Sequence, residues 1–181
     1  MSPFLTFLTP TYRRPKGLAA CLASVQQQTA VERIQQIVLV DHVGVGIGGM
    51  YASLPTYAPA VRGEYVHILC DDDVLADVDV VETVEAFAKY TAHPEVMLVA
   101  ARKGESIWPA GEPWPPQMGR IDLGCAIVRS DVWNAHVADY GRRYEGDYDF
   151  LAALAHAGRR AVWCDLLFSV GAVSRGAAEA A

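Results

Sequence analysis

The sequence has no run of about 18 consecutive apolar residues, the length a helix needs to cross a bilayer, so no transmembrane helix is expected. Its opening, MSPFLTFLTP, lacks a basic stretch followed by a long apolar one and does not read as a signal peptide. Together these two absences predict a soluble, cytoplasmic protein. No CxxC pair occurs either. Cys21, Cys70, Cys125 and Cys164 are widely spaced, which argues against a zinc site and for free thiols in a reducing compartment. Positive charge is scarce: 15 Lys and Arg stand against 21 Asp and Glu, for a net charge of −6. That balance argues against tight nonspecific binding to polyanions, which needs many cationic contacts to phosphate. It leaves open a local basic groove, for which Arg13, Arg14 and Lys16, or Arg142 and Arg143, are the candidates. No internal repeat is visible.

What is present describes one folded unit. The 181 residues, 52% hydrophobic and 20% charged, suffice for a single domain with its own core. The domain is expected over residues 1–171, with a flexible small-residue tail over 172–181. Apolar runs at 4–9, 34–40, 64–70, 96–101, 121–128 and 161–168 predict strands. Between them, helical spacing and helix-end signals predict helices over 15–28, 78–90 and 147–158, one starting at Ser130–Asp131, and a short one over 50–57. Residues 104–119 contain Trp108, Trp114 and four prolines, and predict a loop or flap over a binding site. Alternating strands and helices give an α/β/α sandwich with a mainly parallel central sheet.

In such sheets ligands gather beyond the carboxyl ends of the strands. Three of those ends carry polar residues here: Thr9-Pro10-Thr11-Tyr12-Arg13 after the first strand, Asp41 after the second, and Asp71-Asp72-Asp73 after the third. Adjacent carboxylates repel, so the triplet calls for a compensating cation or hydrogen bonds. Hard oxygen ligands of this kind suit Mg²⁺ or Mn²⁺ shared with substrate phosphates, and the alternative is a solvated acidic turn. The five histidines are scattered, and His67, inside a strand, reads as a core or surface residue before a ligand.

On these segments the chain resembles the GT-A fold glycosyltransferases of the family 2 type. The resemblance runs through FLTPTYRRPKGLAACLASVQQQT, IVLVDHVG, GEYVHILCDDDVL, GRIDLGCAIVRSDVW and YEGDYDFLAALAHAGRRAVWCD, in order and over nearly the whole chain. It implies a nucleotide-diphosphate sugar as donor, Mn²⁺ or Mg²⁺ as cofactor and a hydroxyl-bearing acceptor: a glycan or, second, a hydroxymethylated base in phage DNA. It implies that Pro10, Thr11, Tyr12 and Arg13 line the nucleotide pocket and that Asp41 reads the base. By the same resemblance Asp71 contacts ribose or metal, Asp73 coordinates the metal, Asp72 lies nearby, and Asp147 is the general base of an inverting transfer. A carboxylate at a helix N-terminus is also held ionised by the helix dipole, as a base requires.

Two departures stand out. The family pattern has Glu-Asp where this chain has Gly146-Asp147, which makes Glu145 the reserve candidate for the base. The late metal-binding histidine of many members is missing after Phe168, and Arg175 is the candidate to touch the diphosphate in its place. The rival readings are a nucleotidyltransferase, disfavoured because no glycine-rich phosphate loop follows the first strand, and a nucleotide-sugar-binding module without turnover.

Overall fold

The computed structural model describes residues 2–109 and 114–171. The predicted tail at 172–181, including Arg175, and part of the 104–119 segment lie outside the described residues. Among the described residues eight strands form one sheet: β1 (Leu5–Thr11), β2 (Ile34–Val40), β3 (Tyr65–Ile68), β4 (Asp73–Leu75), β5 (Val96–Lys103), β6 (Ser106–Trp108), β7 (Ala126–Arg129) and β8 (Ala161–Gly171). Their order is β2-β1-β3-β7-β5-β8-β4, with β6 added to β5. Five α-helices among the described residues pack on this sheet: α1 (Pro15–Gln26), α2 (Gly46–Ser53), α3 (Val80–Tyr90), α4 (Ser130–His136) and α5 (Gly146–His156).

Side chains alternate between the two faces of a strand, and the two cores follow that alternation. Leu5, Phe7, Tyr65, Met97, Val99 and Ile127 face α1 and α3, where Cys21, Val25, Val81 and Val84 close a buried layer. Leu8, Val66, Ile68, Leu98, Ala126 and Val128 face the other way, onto Tyr51, Trp133, Phe150 and Leu154 of α2, α4 and α5. The expected α/β/α arrangement is therefore present. Pairings are mixed: β1 is parallel to β2 and β3, and β5 to β8, while β7, β4 and β6 pair antiparallel with their neighbours. Five of the eight strands still run in one direction, which is the sense in which the sheet is mainly parallel.

Several local expectations shift. The third strand stops at Ile68, and a tight turn with the Asp73 amide on the Cys70 carbonyl (3.0 Å) starts β4 at Asp73. The loop at 104–119 yields a short strand, Ser106–Trp108, as the return of a hairpin from β5. The helix expected at 50–57 begins earlier, at Gly46, and passes into a 3₁₀ segment over Leu54–Ala60 that accommodates Pro55 and Pro59. Ser130 is the first residue of α4, with no capping side-chain hydrogen bond. The glycine signal at 158 holds: Gly158 ends α5 with φ +75°. All four cysteines are free, three buried and Cys70 half-buried.

The mixed directions bring the site together. β1, β2, β3 and β5 end at one edge of the sheet. β4 and β7, running the opposite way, begin there. Asp73 opens β4, and the turn Leu123–Cys125, capped by the Asp122 carboxylate on the Gly124 amide, opens β7.

Candidate active site

One side of the edge is built from the ends of β1 and β2. The Asp41 amide donates to the Thr11 carbonyl (2.9 Å), so the two strand ends stay zipped past their last pair. The Asp41 carboxylate turns back to accept the amides of Val43 (2.9 Å) and Gly44 (2.7 Å). Burial is the largest single influence and works against its charge, but the amides of Val43, Gly44, Val45 and Gly46 together outweigh it and hold the carboxyl below the usual range. Gly44 has φ +78°, and a side chain there would meet the Tyr12 hydroxyl at 2.8 Å. On the other side of Tyr12 the Arg13 guanidinium lies 5.1 Å from the ring centroid. The structure thus brings Tyr12, Arg13 and the Asp41 turn together.

The acidic triplet does not point into bulk water. Asp71 is 4% exposed and Asp73 only 2%. Arg14, in the turn before α1, donates to Asp71 (3.1 Å) and lies 3.3 Å from Asp72. Burial raises the Asp71 carboxyl, against the pull of the Thr11 hydroxyl and the Arg14 guanidinium. Gly17 lets α1 approach this closely, because a Cβ there would sit 2.7 Å from the Asp71 carbonyl oxygen. Asp73 has a different partner. The Lys103 ammonium, at the end of β5, makes a short ion pair with it and lies 3.9 Å from Asp122. The Lys103 side chain is 10% exposed. Burial opposes its charge, but Asp122 and Asp73 overcome that and raise its pKa. Asp73 is likewise raised by burial, with Lys103 pulling the other way.

Asp147 stands in the first turn of α5, half-buried, and its carboxylate accepts the Tyr148 amide (2.8 Å). Burial raises its pKa to about 6; the amides of Tyr148 and Leu123 pull it down and the Asp122 charge pushes it up. The helix N-terminus was expected to keep this group strongly ionised. Desolvation wins instead, and it leaves a carboxylate of raised basicity. Gly146 has a local reason: a Cβ there would fall 2.1 Å from the Gly141 carbonyl oxygen and 2.5 Å from the Tyr51 ring, so a glutamate does not fit. Glu145 is the N-cap of α5, its carbonyl accepts the Asp149 amide (3.1 Å), and its charge acts on Arg143. His67 is buried between Phe7 and Phe168 and donates from Nδ1 to the Ala126 carbonyl (2.9 Å). Burial lowers its pKa to about 4, so it is a neutral core residue.

Of the residues that would hold a divalent cation, Asp72 and Asp73 fit best. An oxygen of each and the Cys70 sulfur lie within 4.8 Å of one another. The Cys70 thiol is raised well above its ordinary pKa by burial, which leaves the two carboxylates as the hard ligands. Asp71 is turned to Arg14. Sequence reasoning missed Arg14, Lys103 and Asp122 as members of the site. Lys103 was within reach of it, since the strand-end rule that picked out Asp41 applies equally to the end of β5.

No family model matches the sequence, and no curated protein matches it. Solved structures share its fold. TarS 1-349 from S. aureus in complex with UDP-GlcNAc aligns with a TM-score of 0.68 at 15% identity, over 96% of this chain and 60% of that one. The mannosyltransferase PcManGT from Pyrobaculum calidifontis, in complex with GDP-Man and Mn²⁺, aligns at 0.66 and 14% identity, over 97% of this chain and 58% of its own. A197 from STIV aligns at 0.56 and 14% identity, over 90% and 82%. The chain therefore has the GT-A fold, and it spans about 60% of the length of the TarS 1-349 and PcManGT structures.

Proposed function

We propose that this chain is a glycosyltransferase that moves a sugar from a nucleotide-diphosphate donor to a hydroxyl acceptor with inversion. One observation carries the reading: along one sheet edge Lys103 links Asp73 to Asp122, and the Asp122 charge acts in turn on Asp147. That run joins the place suited to a diphosphate to the place suited to a base. The sugar nucleotides bound to TarS and PcManGT, UDP-GlcNAc and GDP-Man, support this substrate class.

In this reading the base and ribose lie against Tyr12, Arg13 and Asp41, beside Pro10 and Thr11, and the diphosphate lies over the acidic edge. Asp147 accepts the proton of the acceptor hydroxyl as its oxygen bonds to the anomeric carbon, and the bond from that carbon to the diphosphate oxygen breaks. A carboxylate with a pKa of about 6 is ionised near neutrality and more basic than an ordinary aspartate, which suits this role. Arg14 holds Asp71 and Asp72 in place. Asp72 and Asp73 would hold Mn²⁺ or Mg²⁺, whose chemistry when bound is to offset charge gathering on the leaving diphosphate. The acceptor is a glycan first and a hydroxymethylated DNA base second.

A second reading, a binding module without turnover, is favoured by one feature: the Asp73 carboxylate is already neutralised by Lys103. Mass spectrometry of glycan and hydroxymethylated DNA acceptors, after incubation with UDP- and GDP-sugars, separates the two. Added hexose or pentose mass supports transfer; donor binding with no product across the panel supports the module. Asp147→Asn is expected to abolish transfer and leave donor affinity within about twofold, since only the proton acceptor is lost. The wild-type rate is expected to rise with pH through about 6, as Asp147 loses its proton. Full activity in Asp147→Asn would remove this residue from the base role.

A further inference from the structure

Asp73 is the most buried carboxylate of the acidic triplet, and its partner comes from the opposite side of the edge. β5 ends at Lys103, and β4 begins at Asp73; both flank β8, which pairs Arg102 with Val170 and Asp73 with Gly171. Lys103 is thus delivered to Asp73 by the sheet register and is not a long surface side chain that happens to reach it. Its ammonium is nearly enclosed, contacts Asp73 and has Asp122 as a second anion at 3.9 Å. Asp72 has its own cation in Arg14. One oxygen each of Asp72 and Asp73, with the Cys70 sulfur, form the convergent group suited to a divalent ion. An ammonium and a divalent cation on one carboxylate disfavour each other, because two positive charges a few ångströms apart in a poorly solvated site repel strongly.

We propose that Lys103 is the resident counterion of this edge, so that Lys103 and a divalent cation are alternative occupants of Asp73. The donor-free protein then binds a divalent ion weakly, and the ion gains Asp73 only as the ammonium leaves it. This concerns the same edge as the proposed transfer, but ion affinity is measured without donor or acceptor. Failure of the transferase reading and failure of this one are therefore distinguishable.

The test is Mn²⁺ binding to the full chain, followed by electron paramagnetic resonance of free Mn²⁺ and by calorimetry, without nucleotide. Lys103→Met is expected to bind Mn²⁺ at least about tenfold more tightly than wild type, the direction and scale set by removing a like charge at this distance. The gain is expected to vanish in Lys103→Met combined with Asp73→Asn. Equal Mn²⁺ affinity in wild type and Lys103→Met overturns the proposal, and so does a gain that survives Asp73→Asn. Lys103→Met leaves Asp73 buried without its cation and risks unfolding. Recovery of its fold and melting transition by Mn²⁺, but not by equal ionic strength of NaCl, is then the expected result. If neither restores it, Lys103→Gln, which keeps a hydrogen-bond donor for Asp73, is taken through the same titration with the same two outcomes.

Discussion

At the residue scale, Asp147 combines two properties that pull against each other. Its raised pKa makes it a better proton acceptor and also makes its ionised form costly to bury. The folded-state pKa of about 6 lies above the unfolded value of 3.8, so between those values the folded protein holds the proton more tightly. The stability this group contributes is present at low pH and is lost as pH rises through about 6. Asp147→Asn is therefore expected to raise stability at pH 7.5 by on the order of 2 kcal/mol, with the difference closing near pH 4. Urea unfolding at the two pH values checks this. A variant that melts higher yet transfers no sugar is the signature of a group retained for chemistry and not for folding. The type and position of this residue were legible in the sequence. Its basicity was not, because it depends on neighbours such as Tyr51 of α2 and Asp122 and Leu123 before β7, which are distant along the chain.

At the level of elements, α1 and the acidic turn depend on a single missing side chain. Gly17→Ala should gain up to about 1 kcal/mol from helix propensity. It should lose more, because the new Cβ meets the Asp71 carbonyl oxygen at 2.7 Å and backbone cannot swing aside. A net destabilisation of about 1–3 kcal/mol is expected, with weaker donor binding, read by urea unfolding and donor calorimetry. The strands and helices were largely legible because their apolar spacing is clean, as in Leu5 and Phe7 facing one core and Leu8 the other. Strand direction was not. Nothing in EYVHILCDDDVL announces that pairing breaks at Ile68 and resumes, reversed, at Asp73, since β4 owes its existence to β8 about a hundred residues later. Arg14 and Lys103 escaped notice as site residues for a related reason: a basic residue in sequence gives no sign of the carboxylate it will meet.

For the whole molecule, charge is the property that narrows the acceptor. With a net charge of −6, any DNA acceptor would have to be held against overall repulsion. The protein is expected not to retard unmodified duplex DNA in a gel at about 150 mM salt, and its transfer to a neutral glycan should depend little on salt. A steep fall of activity with salt would instead favour the polyanion. The basic candidates differ in their availability for such a role. Arg14 is committed to Asp71 and Asp72, and Arg143 to Asp149 at 2.5 Å, which draws two of the residues singled out in the sequence away from a phosphate-binding groove.

The pairing of β4 with β8 sets an order of events during synthesis. Among the described residues β4 pairs with no other strand, so the strand pairing of Asp73 is complete only once Gly171 has emerged and docked. A nascent chain halted before β8 would carry the half of the edge with Tyr12, Arg13 and Asp41, and would lack the β4–β8 pairing that aligns Asp73 with Lys103. Ribosome-bound chains of increasing length should accordingly acquire that half early and the paired acidic half only at the end.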